Sequence, residues 1–217
     1  MIAIGNFLKL TLIDYPGELA CEVFCQSCNF RCLYCHNIHL VIPEYFSKPI
    51  DIDNIFEYIE KNKNKLTGIV ISGGEPLLSK NILNFLKEIK RRFIFKIKID
   101  TNGSFPDLIR QIIESNLADC IAIDIKASPE NYDKVCGTKT NPKNILTSIE
   151  ILQKSKIEKV FRMTVVKGLI EKKDIEFAKK ITEGKIIFQN YRRPNFLPAN
   201  FPAFEEMTEE NFRIFVN

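Results

Sequence analysis

The chain has 217 residues, 45% of them hydrophobic and 27% charged, with a formal net charge of +4. That length suits one domain able to bury a sizeable core, and the composition is that of a globular protein, neither disordered nor fibrous. Lysines and arginines are scattered among the acids, which reads as a solvated surface and argues against the concentrated basic face of a nucleic-acid binder.

Residues 1–18 contain apolar positions but no basic head, long apolar run or small-residue cleavage site, so they read as an N-terminal loop and not as a leader. No stretch approaches the length of a membrane span, and no membrane partner is expected. The expected compartment is the cytoplasm, where thiols stay reduced.

Six apolar, β-rich runs follow, at 19–26, 68–72, 95–100, 120–126, 159–166 and 185–189. They are nearly continuous instead of alternating, which suits parallel strands buried on both faces. Segments of helical period lie between them. Ile52, Ile55, Phe56 and Ile59 form one apolar face, with Asp51 or Asp53 as N-cap; Ile82, Phe85, Leu86 and Ile89 form the next. Leu108, Ile109, Ile112 and Ile113 make a third, Ile145, Ile149 and Leu152 a fourth, and Ile175, Ala178 and Ile181 a fifth.

Six β–α repetitions without a linker predict one α/β domain over 1–217, with a barrel core at about 19–194 and a C-terminal segment at 195–217. A closed eight-fold barrel takes about 250 residues. The expected fold is therefore a partial (β/α)6, TIM-like barrel with a parallel sheet, open on one side. Reactive residues then belong at the C-terminal ends of the strands.

Five of the seven cysteines fall between Cys21 and Cys35. Disulfides over such short spacings are not expected in a reducing compartment, and a metal site fits better. Cys28, Cys32 and Cys35 form C-x-x-x-C-x-x-C directly after the first run, so one short loop can supply three thiolates to one face of a [4Fe–4S] cube. The fourth iron receives no thiolate from this loop and is left open to a substrate. Cys25-x-x-Cys28 and Cys32-x-x-Cys35 also spell two zinc-type pairs, but such pairs normally stand a dozen or more residues apart, and here three residues separate them. Cys32 to His36 matches c-type haem attachment, a chemistry of exported proteins.

Other strand ends carry candidates. Ser72-Gly73-Gly74-Glu75-Pro76 follows the second run; its glycines permit close backbone approach to a ligand, and turn chemistry explains them equally. Asp100-Thr101-Asn102-Gly103 closes the third, as an Asn-Gly turn or a ligand contact. Asp124 and Lys126 share one side at the end of the fourth, and Arg162, Thr164 and Val166 one side of the fifth. Arg162 meets either a ligand carboxylate or an internal acid. Gln189 opens the final stretch, Gln189-Asn190-Tyr191-Arg192-Arg193-Pro194.

The cysteine loop with Gly73–Pro76 resembles the radical S-adenosylmethionine superfamily. The resemblance implies that Cys28, Cys32 and Cys35 hold the [4Fe–4S] cluster and that S-adenosylmethionine binds at its open iron. Tyr34 would lie near the adenine, and Gly73, Gly74 and Glu75 would hold the methionine amino group. Cys35, His36, Asp100, Asn102, Asp124, Lys126, Arg162 and Gln189 would complete the cofactor-facing set. Thr11-Leu12-Ile13-Asp14-Tyr15-Pro16-Gly17, Phe24, Cys28-Asn29-Phe30-Arg31-Cys32, Cys35-His36-Asn37 and Phe161–Val166 are similar to activating enzymes of glycyl radical enzymes, especially those serving anaerobic ribonucleotide reductase. What this implies is a radical that takes hydrogen from a partner's glycine, with electrons from a flavodoxin or ferredoxin. The alternatives are a small-molecule radical enzyme such as 7-carboxy-7-deazaguanine synthase, or a non-catalytic iron–sulfur or zinc module. Cys21, Cys25, Cys120 and Cys136 read as buried structural thiols.

Overall fold

The computed structural model describes residues 2–194 and 196–217. Among them is one seven-stranded sheet in the order β1 (Ile4–Thr11), β2 (Ala20–Cys25), β3 (Gly68–Gly73), β4 (Lys96–Thr101), β5 (Cys120–Asp124), β6 (Glu158–Val165) and β7 (Ile187–Asn190). Strands β2 to β7 run parallel, each paired to its sequence neighbour, as six βα units require. The helices are α1 (Ile38–Val41), α2 (Ile52–Asn62), α3 (Ile82–Arg92), α4 (Pro106–Glu114), α5 (Pro129–Cys136), α6 (Pro142–Lys154), α7 (Lys172–Ile181) and α8 (Glu209–Val216). The partial α/β barrel expected from the repeats is present. Among the described residues no helix is long and apolar enough to cross a membrane.

One expectation is corrected. Residues 1–18 are not a loop throughout: β1 pairs antiparallel with β2, its register shifting between Ile4 and Asn6 and again between Leu8 and Thr11. The open barrel leaves the outer edge of β2 with unpaired backbone donors and acceptors, and β1 satisfies them. Its sequence hides this role, because Leu8 and Leu10 are exposed and the apolar residues mark no core face. The C-terminal segment likewise contains α8, capped by Thr208, whose side chain accepts from the Asn211 N–H.

The alternation of side chains divides the core into two layers. Cys21, Val23, Ile69, Ile71, Ile97, Ile99, Ile121 and Ile123 face the helices and form the large apolar cluster. Ala20, Val70, Cys120 and Val160 face inward with Tyr15, which fills the barrel at the N-terminal ends of its strands. Small inward residues low in the barrel leave its upper half free for polar side chains.

Candidate active site

The C-terminal ends of β2 to β7 surround a cavity of about 460 Å³. Cys28, Cys32, Tyr34, Cys35 and His36 line it from the loop after β2, and Gly73 and Gly74 from the end of β3. Asp100 comes from β4 and Asn102 from just after it, Asp124 from β5 and Lys126 from just after it, Arg162 from β6 and Gln189 from β7. Thus every residue expected at the site lies in this wall except Glu75.

The cysteine loop is held from several sides. Arg31 folds back so that Nη1 donates to the Cys28 and Phe30 carbonyls at 2.7 and 2.8 Å. The Phe30 N–H points at Cys28 Sγ (3.3 Å), and Cys35 N–H closes a turn on the Cys32 carbonyl (3.1 Å). Asn102 Nδ2 donates to Asn29 Oδ1 at 2.9 Å while its Oδ1 accepts from Ser104 N–H, so Asn102 both forms the predicted turn and anchors the loop. Burial pushes the Cys28 and Cys35 thiols up, to about 12 and about 11. Cys32 is lowered, first by a hydrogen bond from the Cys136 thiol and then by Lys126.

Gly73, Gly74 and Glu75 require a different account from the one their sequence suggests. Gly73 has φ +113°, and a Cβ there would lie 2.4 Å from Cys25 N; at Gly74 it would lie 2.1 Å from the Ser27 carbonyl oxygen. The backbone that approaches closely is therefore the chain's own, where β3 presses on the start of the cysteine loop. Glu75 is buried, and its carboxylate accepts from Leu77 N–H (3.0 Å), Thr101 Oγ1–H (2.7 Å) and Asn102 N–H (2.7 Å). Through the Thr101 and Asn102 donors it ties β3 to the end of β4. Burial pushes its pKa up to about 7 against the pull of the three donors.

Across the cavity runs a ladder of alternating charge. Lys98 pairs with Asp100; Arg162 bridges Asp100 (3.1 Å) and Asp124 (2.9 Å); Lys126 stands 3.8 Å from Asp124. Of the two readings open for Arg162, the internal acid holds, twice over. Burial raises the Asp124 carboxyl, but Lys126 and Arg162 overcome it and leave the group below its ordinary value. Lys126 also lies 5.9 Å from the centre of the Tyr34 ring.

Six acidic or polar wall residues were not singled out as site residues from sequence: Asp14, Glu22, Asn37, Ser72, Thr101 and Thr164. Glu22 had a signal, a lone carboxylate inside an apolar strand. Burial raises its pKa to about 8, and the hydrogen-bonded Asp14 carboxyl adds to the shift. The folded form keeps this proton when the unfolded chain has already lost it, so wild-type stability falls as pH rises from about 4.5 to about 8. Glu22→Gln does not titrate. Its melting temperature should match wild type near pH 5 and exceed it above pH 8, by the equivalent of about 1–3 kcal/mol after allowance for water at the cavity mouth. A difference constant across that range contradicts the assignment.

The C-terminal strand end closes one side of the loop. His36 lies 5.5 Å from the Tyr191 ring centre and its Nε2 meets the Arg192 carbonyl oxygen. The Arg192 guanidinium pairs with Glu206 (3.0 Å) and Glu209 (2.8 Å). Of the stretch after β6, Gln189 alone faces the cavity, whereas Arg192 is spent on the C-terminal segment.

The donor set fits a cluster with one open iron. Three cysteines, and no fourth among the described residues, line the cavity. Among those residues no three His, Cys, Asp or Glu side chains converge tightly enough for a single ion. A tetrahedral zinc would draw its thiolates to within about 4 Å of one another; a cubane spreads them over separate irons. The Tyr34 hydroxyl is buried in the wall without a hydrogen-bond partner, a polar atom that a bound ligand can satisfy.

Comparison with known proteins agrees. A protein of Methanocaldococcus jannaschii, provisionally named a glycyl-radical enzyme activating enzyme, is 30% identical over 177 residues, 80% of this chain and 72% of that one. A 7-carboxy-7-deazaguanine synthase of Hyperthermus butylicus is 32% identical over 92 residues, 42% of this chain and 38% of its own length. Among solved structures, TYW1 with a lysine–pyruvate adduct bound superposes with a TM-score of 0.64 at 17% identity, covering 91% of this chain and 71% of that one, a likeness of fold. The model of the radical SAM superfamily matches residues 23–181, the stretch that carries the cysteine loop and most of the cavity wall, and the chain belongs to that superfamily.

Proposed function

We propose that this radical SAM enzyme activates a glycyl radical enzyme, specifically an anaerobic ribonucleotide reductase, drawing electrons from a flavodoxin or ferredoxin. Cys28, Cys32 and Cys35 would hold the [4Fe–4S] cluster. S-adenosylmethionine would lie between Tyr34 and the charge ladder, near Gly73, Asn102 and Gln189. A reduced cluster held by these cysteines would supply the electron for reductive cleavage of S-adenosylmethionine. The protein's own tasks are to orient the ligand and to keep water from the radical's path.

The observation that carries the reading is an exposed apolar edge that starts at the cavity wall. Leu8 lines the cavity wall, and from it the apolar run descends β1 toward the N-terminal end of β2 through Leu10, Leu12 and Ile13, which are 52%, 63% and 82% exposed. Such a concentration of exposed apolar side chains in six residues favours a macromolecular surface. A small substrate would sit inside the cavity and leave this run in water. The similarity to glycyl-radical activators points the same way.

The test is anaerobic incubation of the reduced protein with S-adenosylmethionine and the candidate reductase, read by electron paramagnetic resonance. A glycyl doublet on the reductase, with deoxyadenosine formed in proportion, supports the proposal. Deoxyadenosine without a doublet, accelerated instead by a small pterin or purine precursor, favours the small-molecule reading.

A further inference from the structure

Helix α5 ends on the back of the cysteine loop, outside the cavity. Arg31 N–H donates to the Cys136 carbonyl at 2.8 Å and Leu33 N–H to the Val135 carbonyl at 3.3 Å. The two residues flanking Cys32 are thus fastened to the last turn of α5. The helix is stopped by Gly137 at φ +61°, where a Cβ would come within 2.3 Å of the Arg31 carbonyl oxygen. Only glycine permits so close an approach in that conformation. Gly137 is exposed, and neither it nor Arg31 lines the cavity. Solvent therefore reaches a residue that rests directly on the backbone next to Cys32.

The same corner is basic. The cysteine loop, residues 27–37, carries Arg31 and no acid, and residues 134–149 carry Lys134, Lys139 and Lys143 and no acid. All three lysines are exposed. Lys61, Lys63 and Lys154, by contrast, each pair with an acid one turn away, Glu57, Glu60 and Glu150. Among the described residues Lys134 and Lys143 enter no ion pair. Lys139 meets Asp133 at 3.3 Å, and that carboxylate also accepts from Thr140 N–H and Oγ1–H. Lys143 stands in the first turn of α6, which holds no acid, although a cation there opposes the helix dipole. Neither ion pairing nor helix stability accounts for it. The Arg31 guanidinium, turned onto the Cys28 and Phe30 carbonyls, adds a fixed charge beside the loop.

We propose that this corner, Lys134, Lys139 and Lys143 around Gly137, is where the electron donor docks, a small redox protein whose surface is acidic around its redox centre. Electron transfer through protein falls steeply with distance, so the donor has to seat where the cysteine loop is thinly covered. Charge complementarity brings it there in one orientation. The exposed edge of β1 is apolar and offers an acidic surface nothing. That edge lies at one end of the sheet, whereas α5 follows the fifth strand, so the donor and the radical's target can be bound at once. The inference rests on the cluster at Cys28, Cys32 and Cys35 and on the flavodoxin- or ferredoxin-class donor proposed above; it is independent of the glycyl partner.

The test follows cluster reduction by stopped-flow absorbance after anaerobic reconstitution, with photoreduced flavodoxin and with reduced ferredoxin, at low and high salt. The extent of reduction by dithionite is measured on the same samples. Wild type is compared with a corner variant, Lys134→Glu with Lys139→Glu and Lys143→Glu, and with a control, Lys61→Glu with Lys63→Glu and Lys154→Glu, which changes the net charge equally. The expected result is a protein-driven rate at low salt that falls about tenfold or more in the corner variant and loses its salt dependence. The control should keep the wild-type rate, and dithionite should reduce all three proteins to the same extent. An unchanged rate in the corner variant overturns the proposal. So does an equal fall in the control, because net charge and not this corner would then set the rate. Poorer reduction of the corner variant by dithionite also overturns it, since the lysines would then act on the cluster and not on the donor. Wild type reduced by dithionite but by neither protein removes the donor reading itself, and the corner falls with it; the corner fails alone when a protein donor reduces wild type and the corner variant equally fast.

Discussion

Replacing Cys32 with alanine is expected to abolish the cluster and, with it, the reductive cleavage of S-adenosylmethionine. The variant should retain near-background iron where wild type binds about four atoms per chain, and deoxyadenosine formation should fall by at least about a hundredfold. The fold should survive, because Cys32 is only partly buried and its loop is fastened by the Arg31 and Leu33 backbone bonds, which do not involve the side chain. Cys120→Ala is the matched control. Cys120 sits inside the barrel with Tyr15, Ala20 and Val70, away from the cavity wall. Its loss should cost about 1 kcal/mol of packing and leave iron content and turnover intact. Iron content and anaerobic product formation, measured on both variants, check the contrast. Full cluster loading in Cys32→Ala would remove the assignment of this loop.

The parallel frame was legible because each of its parts declares itself locally. Apolar runs buried on both faces mark β2 to β7, and the period of Ile82, Phe85, Leu86 and Ile89 marks α3, all four being buried. The positions of the motifs were legible for the same reason: a residue that follows such a run lies at the mouth of the barrel. Two kinds of feature were not. Strand β1 exists because β2 has an open edge, a need created by the fold and not written in the pattern of residues 4–11. Helix α5 was hidden because its buried face, Asn131, Tyr132, Val135 and Cys136, is half polar. The local contacts of Gly74 and Glu75 were not legible for a related reason. Composition announces a close approach and a buried acid but does not say whether the other party is a ligand or the chain itself, and here it is Ser27 on one side and Thr101 with Asn102 on the other.

Arg162 offers the sharpest test of that distinction between ligand and chain. Its guanidinium lies between Asp100 and Asp124, and burial alone would disfavour its charge; the two carboxylates more than compensate and raise its pKa. Arg162→Ala removes the shared cation and leaves two acids facing each other, with Lys98 and Lys126 only at the outer ends of the row. Breaking a buried pair from one side costs more than the pair itself contributes, so the expected loss is about 3 kcal/mol, or a melting temperature lower by about 6–12 °C. Adding Asp100→Asn should recover part of it, since the second change relieves the repulsion created by the first, and a double-mutant cycle measures how much. If Arg162 instead served a ligand, the two substitutions would be additive, melting would be almost unchanged, and the affinity for S-adenosylmethionine would carry the whole effect. Melting and ligand binding measured on the same four proteins separate the two roles, because the ladder predicts coupling in the absence of any ligand.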